Sequence, residues 1–160
     1  MSRSPLLRAL TSRAPKTSRQ RRAAAVVLGL FLAFAGTSHL TFARDEFQAQ
    51  VPGWVPMDKD LVVVVSGIAE IGLGAALAAL PGRRVPVGLA AAAFFIAIFP
   101  GNISQYVTQT DGFGLDTDQK RLVRLFFQPL LVIWALWSTG AWQALRTALR
   151  RKQPDPRAAR

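Results

Sequence analysis

The sequence predicts an all-α polytopic membrane protein: a four-transmembrane-helix bundle with both termini cytoplasmic. Three observations lead there. Four apolar runs, residues 23–42, 61–80, 85–103 and 125–142, lie near the ~20 residues that cross ~30 Å of hydrocarbon. Ala and Leu dominate them without period-2 alternation, which argues against strands of that length. The chain holds Lys+Arg 20 against Asp+Glu 9 in 160 residues, and this charge is segregated into the tails and connections.

That segregation gives the orientation. Residues 1–22 carry seven basic residues and no acid, the link PGRR adds Arg83 and Arg84, and residues 143–160 carry six with one acid, Asp155. The connections 43–60 and 104–124 together carry only five basic residues and seven acids. By the positive-inside rule the two tails are cytoplasmic and the two longer loops lie outside. The chain thus divides into a basic tail expected to be disordered (1–22), a membrane domain (23–142) and a second basic tail (143–160). The net charge of +11 is explained by orientation and contact with anionic headgroups. No nucleic-acid-binding signature accompanies the tails, so nucleic acid is not an expected partner.

The first run passes Ala33-Phe34-Ala35, which resembles a signal-peptide cleavage site, but its apolar character continues to Phe42 and favours a retained span. Near its outer end stands His39, the chain's single histidine. The following loop, VPGWVP, brackets Trp54 with two prolines. Trp54 reads either as an interfacial anchor or as a lid over a pocket mouth.

In the second run Ser66, Gly67, Glu70 and Gly74 share one helical face. Glu70 follows Leu61 by nine residues, placing it about 14 Å deep at helical rise. A carboxyl at that depth is either a functional group or a protonated packing link to another helix. The third run ends FPGNIS, where Pro100 frees the carbonyl of Ile96 and predicts a bent or unwound end with Asn102 at the mouth. The fourth starts within the amphipathic stretch KRLVRLFF and puts Arg121, Arg124 and Gln128 on one face, with Pro129 beside them. Trp134, Trp137 and Phe127 could face a planar ligand or lipid.

Alternating helix directions bring His39, Glu70, Asn102, Arg124 and Gln128 into the outer half of the bundle. The candidate site is therefore an outward polar pocket of His39, Ser66, Glu70, Asn102, Arg124 and Gln128, with Trp54 as either its lid or an interfacial anchor beside it. With no cysteine, thiol, iron–sulfur and thiolate–zinc chemistry are excluded for this chain alone. No metal site or bound cofactor is predicted, and no motif supports catalysis by the chain alone.

The pieces AGTSHLTF, VPGWVP, LVVVVSGIAEIGLG, PGRR, FPGNIS and RLFFQPLLVIW, spanning roughly residues 25 to 142, resemble the DoxX-like family of small bacterial membrane proteins. The resemblance implies a four-helix bundle in the bacterial inner membrane. Some relatives are associated with redox systems, including a thiosulfate:quinone oxidoreductase subunit and a maturation factor for methylamine dehydrogenase. It therefore implies an accessory or partner-dependent subunit, with a redox enzyme or another membrane subunit as partner beside the lipid bilayer. Quinone is the only cofactor that the resemblance brings. Two alternatives stand: a small proton-coupled binder or carrier using Glu70, and a purely structural membrane partner.

Single-cysteine variants test the orientation, since the native chain has none. In intact cells Ser4→Cys and Asp155→Cys are expected to resist an impermeant thiol reagent, while Asp45→Cys and Asp116→Cys react. Labelling of Asp155→Cys from outside would reverse the orientation.

Overall fold

The structure is a computed structural model that describes residues 17–150; the outer parts of both basic tails lie outside the described residues. Four helices are long and apolar enough to cross a membrane, which makes the chain a multi-pass membrane protein. These are α1 (Arg19–Leu40), α3 (Lys59–Ala79), α4 (Arg84–Val107) and α5 (Asp118–Thr139). A short α2 (Arg44–Gln48) follows α1, a 3₁₀ turn (Pro81–Arg83) precedes α4, and α6 (Ala141–Arg150) follows α5.

Side-chain caps fix three of the long helices at positions that composition leaves open. Ser18 accepts from the Arg21 amide, Asp58 from Leu61 and Thr117 from Lys120. The first cap starts α1 at Arg19, inside the segment assigned above to a disordered tail. The third starts α5 at Asp118, within reach of the early start expected from KRLVRLFF. Gly140, at φ 77°, ends α5 in a left-handed turn, and α6 then packs back against α4 and α5. Its helical form differs from the plain tail expected over these residues. The reason is amphipathicity: Ala141 and Ala148 are buried, while Arg146 and Arg150 are exposed.

Pro100 does not unwind its helix. α4 runs through it to Val107, so Asn102 sits within a helix and is buried rather than placed at a frayed mouth. Membrane helices tolerate proline where neighbouring side chains satisfy the backbone. Here the Gln128 amide of α5 donates to the Phe95 carbonyl at 2.6 Å, one residue from the carbonyl that Pro100 frees.

The long helices pair as two hairpins. In the first, α1 and α3 meet through reciprocal glycines: a Cβ on Gly74 would stand 2.4 Å from the Gly29 carbonyl oxygen, and one on Gly36 2.4 Å from that of Gly67. Lipid offers no hydrophobic drive for helix pairing, so backbone contact of this kind supplies the van der Waals attraction instead. In the second, α4 and α5 meet where Gly88 receives the side chain of Thr139. The hairpins join over a core of Leu28, Leu32, Leu77, Ala91, Ala92, Phe95 and Ala135. Towards the tail end, the Trp134 indole donates to the Ala24 carbonyl at 3.0 Å and Arg21 lies over Trp137. Both tryptophans thus tie α5 to α1.

Gly74→Ala is expected to destabilise the bundle by about 1–3 kcal/mol, the usual cost of overpacking, because backbone and not a flexible side chain must move. Gly72→Ala meets nothing within 4 Å and should be neutral or stabilising by up to about 1 kcal/mol through helix propensity. Reversible unfolding in mixed micelles separates the two. Equal stabilities would remove the close approach from the account of the hairpin.

Candidate functional site

At the end of the bundle away from the tails, the two hairpins leave a cavity of about 850 Å³ between them. His39, Ser66, Glu70, Asn102, Arg124, Gln128 and Trp54 all line it. Every candidate residue thus reaches one space, and the polar ones form two groups on opposing walls.

The first group belongs to α1 and α3. Helical Cβ atoms tilt towards the helix N-terminus, so His39 near the end of α1 leans inward and Glu70 in α3 leans outward to meet it. The glycine contact sets their separation, since a Cβ on Gly67 would lie 2.8 Å from the His39 Cβ. His39 Nδ1 is 3.0 Å from Ser66 Oγ and 3.4 Å from the Val63 carbonyl oxygen. Ser66 spends its own hydroxyl proton on that carbonyl, at 2.9 Å. A carbonyl only accepts, so the network assigns the proton to Nδ1, and Ser66 Oγ accepts it. Nε2 is then left to face Glu70 Oε2 at 3.6 Å, too long for a hydrogen bond. Both side chains are buried, Glu70 5 % and His39 7 % exposed, and Glu70 Oε2 has no hydrogen-bond partner among the described residues.

The second group belongs to α4 and α5. Asn102 Nδ2 donates to Gln128 Oε1 at 3.0 Å, and Gln128 passes its own proton to Phe95 as described. Arg124 Nε donates to Asn102 Oδ1 at 3.4 Å. One turn further out, buried Arg121 does not enter the cavity. It is held instead by ion pairs with Asp111 and with Asp118, the latter at 2.8 Å.

The cover over the mouth is where the sequence said least. Trp54 stands at the rim and is 71 % exposed, while its neighbours Val51 and Pro52 are buried. The loop before it seats the Gln50 carbonyl on Gly101, where a Cβ would come within 2.7 Å. The inner layer consists of Phe47 and Phe113. Phe47 lies against the His39 imidazole, meets Phe113 edge-on at 4.5 Å, and Phe113 receives the Arg124 guanidinium at 5.4 Å. Phe113 adopts φ 57°, unusual for a bulky residue, and its amide donates to the Glu46 carboxylate. A conformation costing about 1–3 kcal/mol is held here by those stacking and hydrogen-bond contacts.

Below the polar walls the lining turns apolar, with Leu32, Phe95 and Leu131 at the floor. Of the aromatic residues singled out in the fourth span, Phe127 lines the cavity and Trp134 and Trp137 do not. A second orphaned polar atom belongs to Gln50, also a lining residue, whose Nε2 is buried without a partner among the described residues. No group of three or more His, Asp or Glu that could hold a metal occurs among the described residues.

Residues 28–139 match the family described as a domain of unknown function, DUF8561, and the chain belongs to that family. The match starts inside α1 and ends with the last residue of α5. No curated protein and no solved structure matches the chain.

The two walls predict different tolerances. Gln128→Leu strips partners from Asn102 and from the Phe95 carbonyl, and should cost about 0.6–2 kcal/mol per lost membrane hydrogen bond. Glu70→Gln keeps shape and can donate to Nε2, so stability should change little. Unfolding in micelles checks both, and a Gln128→Leu variant as stable as the native protein would contradict the network.

Proposed function

We propose that this DUF8561 protein sits in a bacterial inner membrane with its termini cytoplasmic, and that its outward cleft binds a small amphipathic molecule. The observation that supports this reading is the convergence of polar side chains from four helices on one cavity with an apolar floor. Its volume falls in the range of about 300–1,000 Å³ typical of small-molecule sites. Of the six buried polar side-chain atoms without partners among the described residues, two, Glu70 Oε2 and Gln50 Nε2, belong to residues lining the cavity, and the other four, on Gln105, Arg121 and Ser138, do not. A ligand supplies the partners missing from those two.

Glu70 and His39 give the site a proton to exchange. With Nδ1 fixed as a donor, one proton can reside on Glu70 Oε2 or on His39 Nε2, and a bound polar atom beside the pair selects between the two. This supports the proton-coupled binder or carrier. The accessory role in a redox system, and a redox enzyme as partner, rest on the DoxX-like resemblance alone. A quinone from that resemblance would suit the apolar floor.

Native mass spectrometry after mild-detergent extraction tests the binding reading. The native protein is expected to carry a bound small molecule, and Ala35→Trp, which fills the cavity, to lose it while keeping its helical content. A pH-dependent affinity abolished by Glu70→Gln would support proton exchange. An empty native protein indistinguishable from Ala35→Trp would contradict binding, and a co-purifying oxidoreductase would favour the accessory role.

A further inference from the structure

We infer that the molecule bound in this cleft is a single-chain amphiphile with an anionic head, carboxylate or phosphate monoester, reached from the lipid side and paired with Arg124. The inference rests on the binding reading above and adds the charge of the ligand and its route.

Charge comes first. Two cations line the cavity, Lys120 and Arg124. Lys120 Nζ holds the Asp116 carboxylate at 2.7 Å. Arg124 holds no carboxylate among the described residues; its contacts are the neutral Asn102 amide and the face of Phe113. His39 and Glu70 compensate it only where the pair gives up the proton they share. With one proton between them they sum to zero, whether the pair is neutral or zwitterionic. The cavity wall therefore retains one uncompensated positive charge, half-buried at the level where a ligand head would sit. Withdrawing a cation from water is costly without a counter-ion, and a guanidinium fork matches the oxygens of a carboxylate or phosphate.

The route follows from which walls are covered. The watery end is covered in part by the Phe47–Phe113 layer and the seated loop before Trp54, although Trp54, Gln119 and Lys120 line the cavity there and are exposed. The sides are not closed: Phe31 of α1 and Phe127 of α5 line the cavity and are nevertheless 49 % and 59 % exposed. Both lie in membrane-spanning helices, so the surface they expose faces acyl chains. A chain already in the bilayer can pass between them to the floor without crossing water, while its head stays near Arg124. The cavity is the size of a drug-like ligand site, which suits one chain better than a whole two-chain phospholipid.

The test uses the full chain in nanodiscs of zwitterionic lipid, titrated with fluorescent cis-parinaric acid and with its methyl ester. The acid is expected to bind roughly tenfold to a hundredfold more tightly than the ester, the range of a hydrogen bond to a charged group. Arg124→Gln should erase that preference and Arg124→Lys largely keep it. Unchanged ester affinity in Arg124→Gln shows that the cleft is intact. Competition by oleate identifies a carboxylate head and competition by lysophosphatidate a phosphate head; either supports the inference. Hexanoate competing as well as oleate overturns the role of the chain. Acid and ester binding alike, or a preference that survives Arg124→Gln, overturns the anionic head while leaving the binding reading standing. If acid, ester, oleate and lysophosphatidate all fail to bind, the inference falls, and native mass spectrometry of the same preparation shows whether the binding reading falls with it.

Discussion

The close approach of α1 and α3 at their paired glycines is the constraint on which the site depends. Without Cβ atoms at 29, 36, 67 and 74 the two backbones come into contact, and the carbonyl of each glycine occupies the space a neighbour's side chain would fill. That contact sets the register between the helices, and register decides which side chains can meet. It puts His39 against Ser66 and Val63 on one side and within 3.6 Å of Glu70 on the other. A half-turn slip would direct the carboxyl towards lipid, where nothing could share its proton.

The second hairpin is built with different chemistry. α4 and α5 rely on hydrogen bonds between side chains, Asn102 to Gln128 and Gln128 to the backbone beside Pro100. One wall of the cleft is thus held by backbone contact and carries an under-satisfied proton pair, while the other is held by side-chain hydrogen bonds and carries a cation with no carboxylate partner among the described residues. The hairpins share an apolar core and meet towards the tail end through Trp134 and Arg21. At the other end the space between them remains open, under a cover assembled from α2 and the loop before α5.

The spans were legible because hydrocarbon imposes a length and an absence of charge that few other structures satisfy. The site residues were legible for the same reason inverted: a polar side chain at membrane depth stands out, so depth along four helices sufficed to name six polar residues that line the cavity. Other features were hidden. Phe47, in the short α2, and Phe113, in the loop before α5, are ordinary apolar residues, and only the fold shows that they stack between His39 and Arg124. Pro100 signalled a break that does not occur, since a local rule cannot see the packing that keeps α4 helical to Val107. The helix after Gly140 was concealed by its arginines, which read as a charged tail when counted and as one face of an amphipathic helix when placed.

The His39–Glu70 arrangement admits a direct measurement, because selective ¹⁵N labelling of a chain with one histidine gives the spectrum of a single imidazole. Solid-state NMR of the protein in lipid bilayers should show Nδ1 protonated, and Glu70→Gln should shift the Nε2 resonance while leaving Nδ1 in place. A ring protonated only at Nε2 would contradict the Nδ1 assignment, and an Nε2 signal indifferent to Glu70→Gln would mean that the two side chains do not face one another.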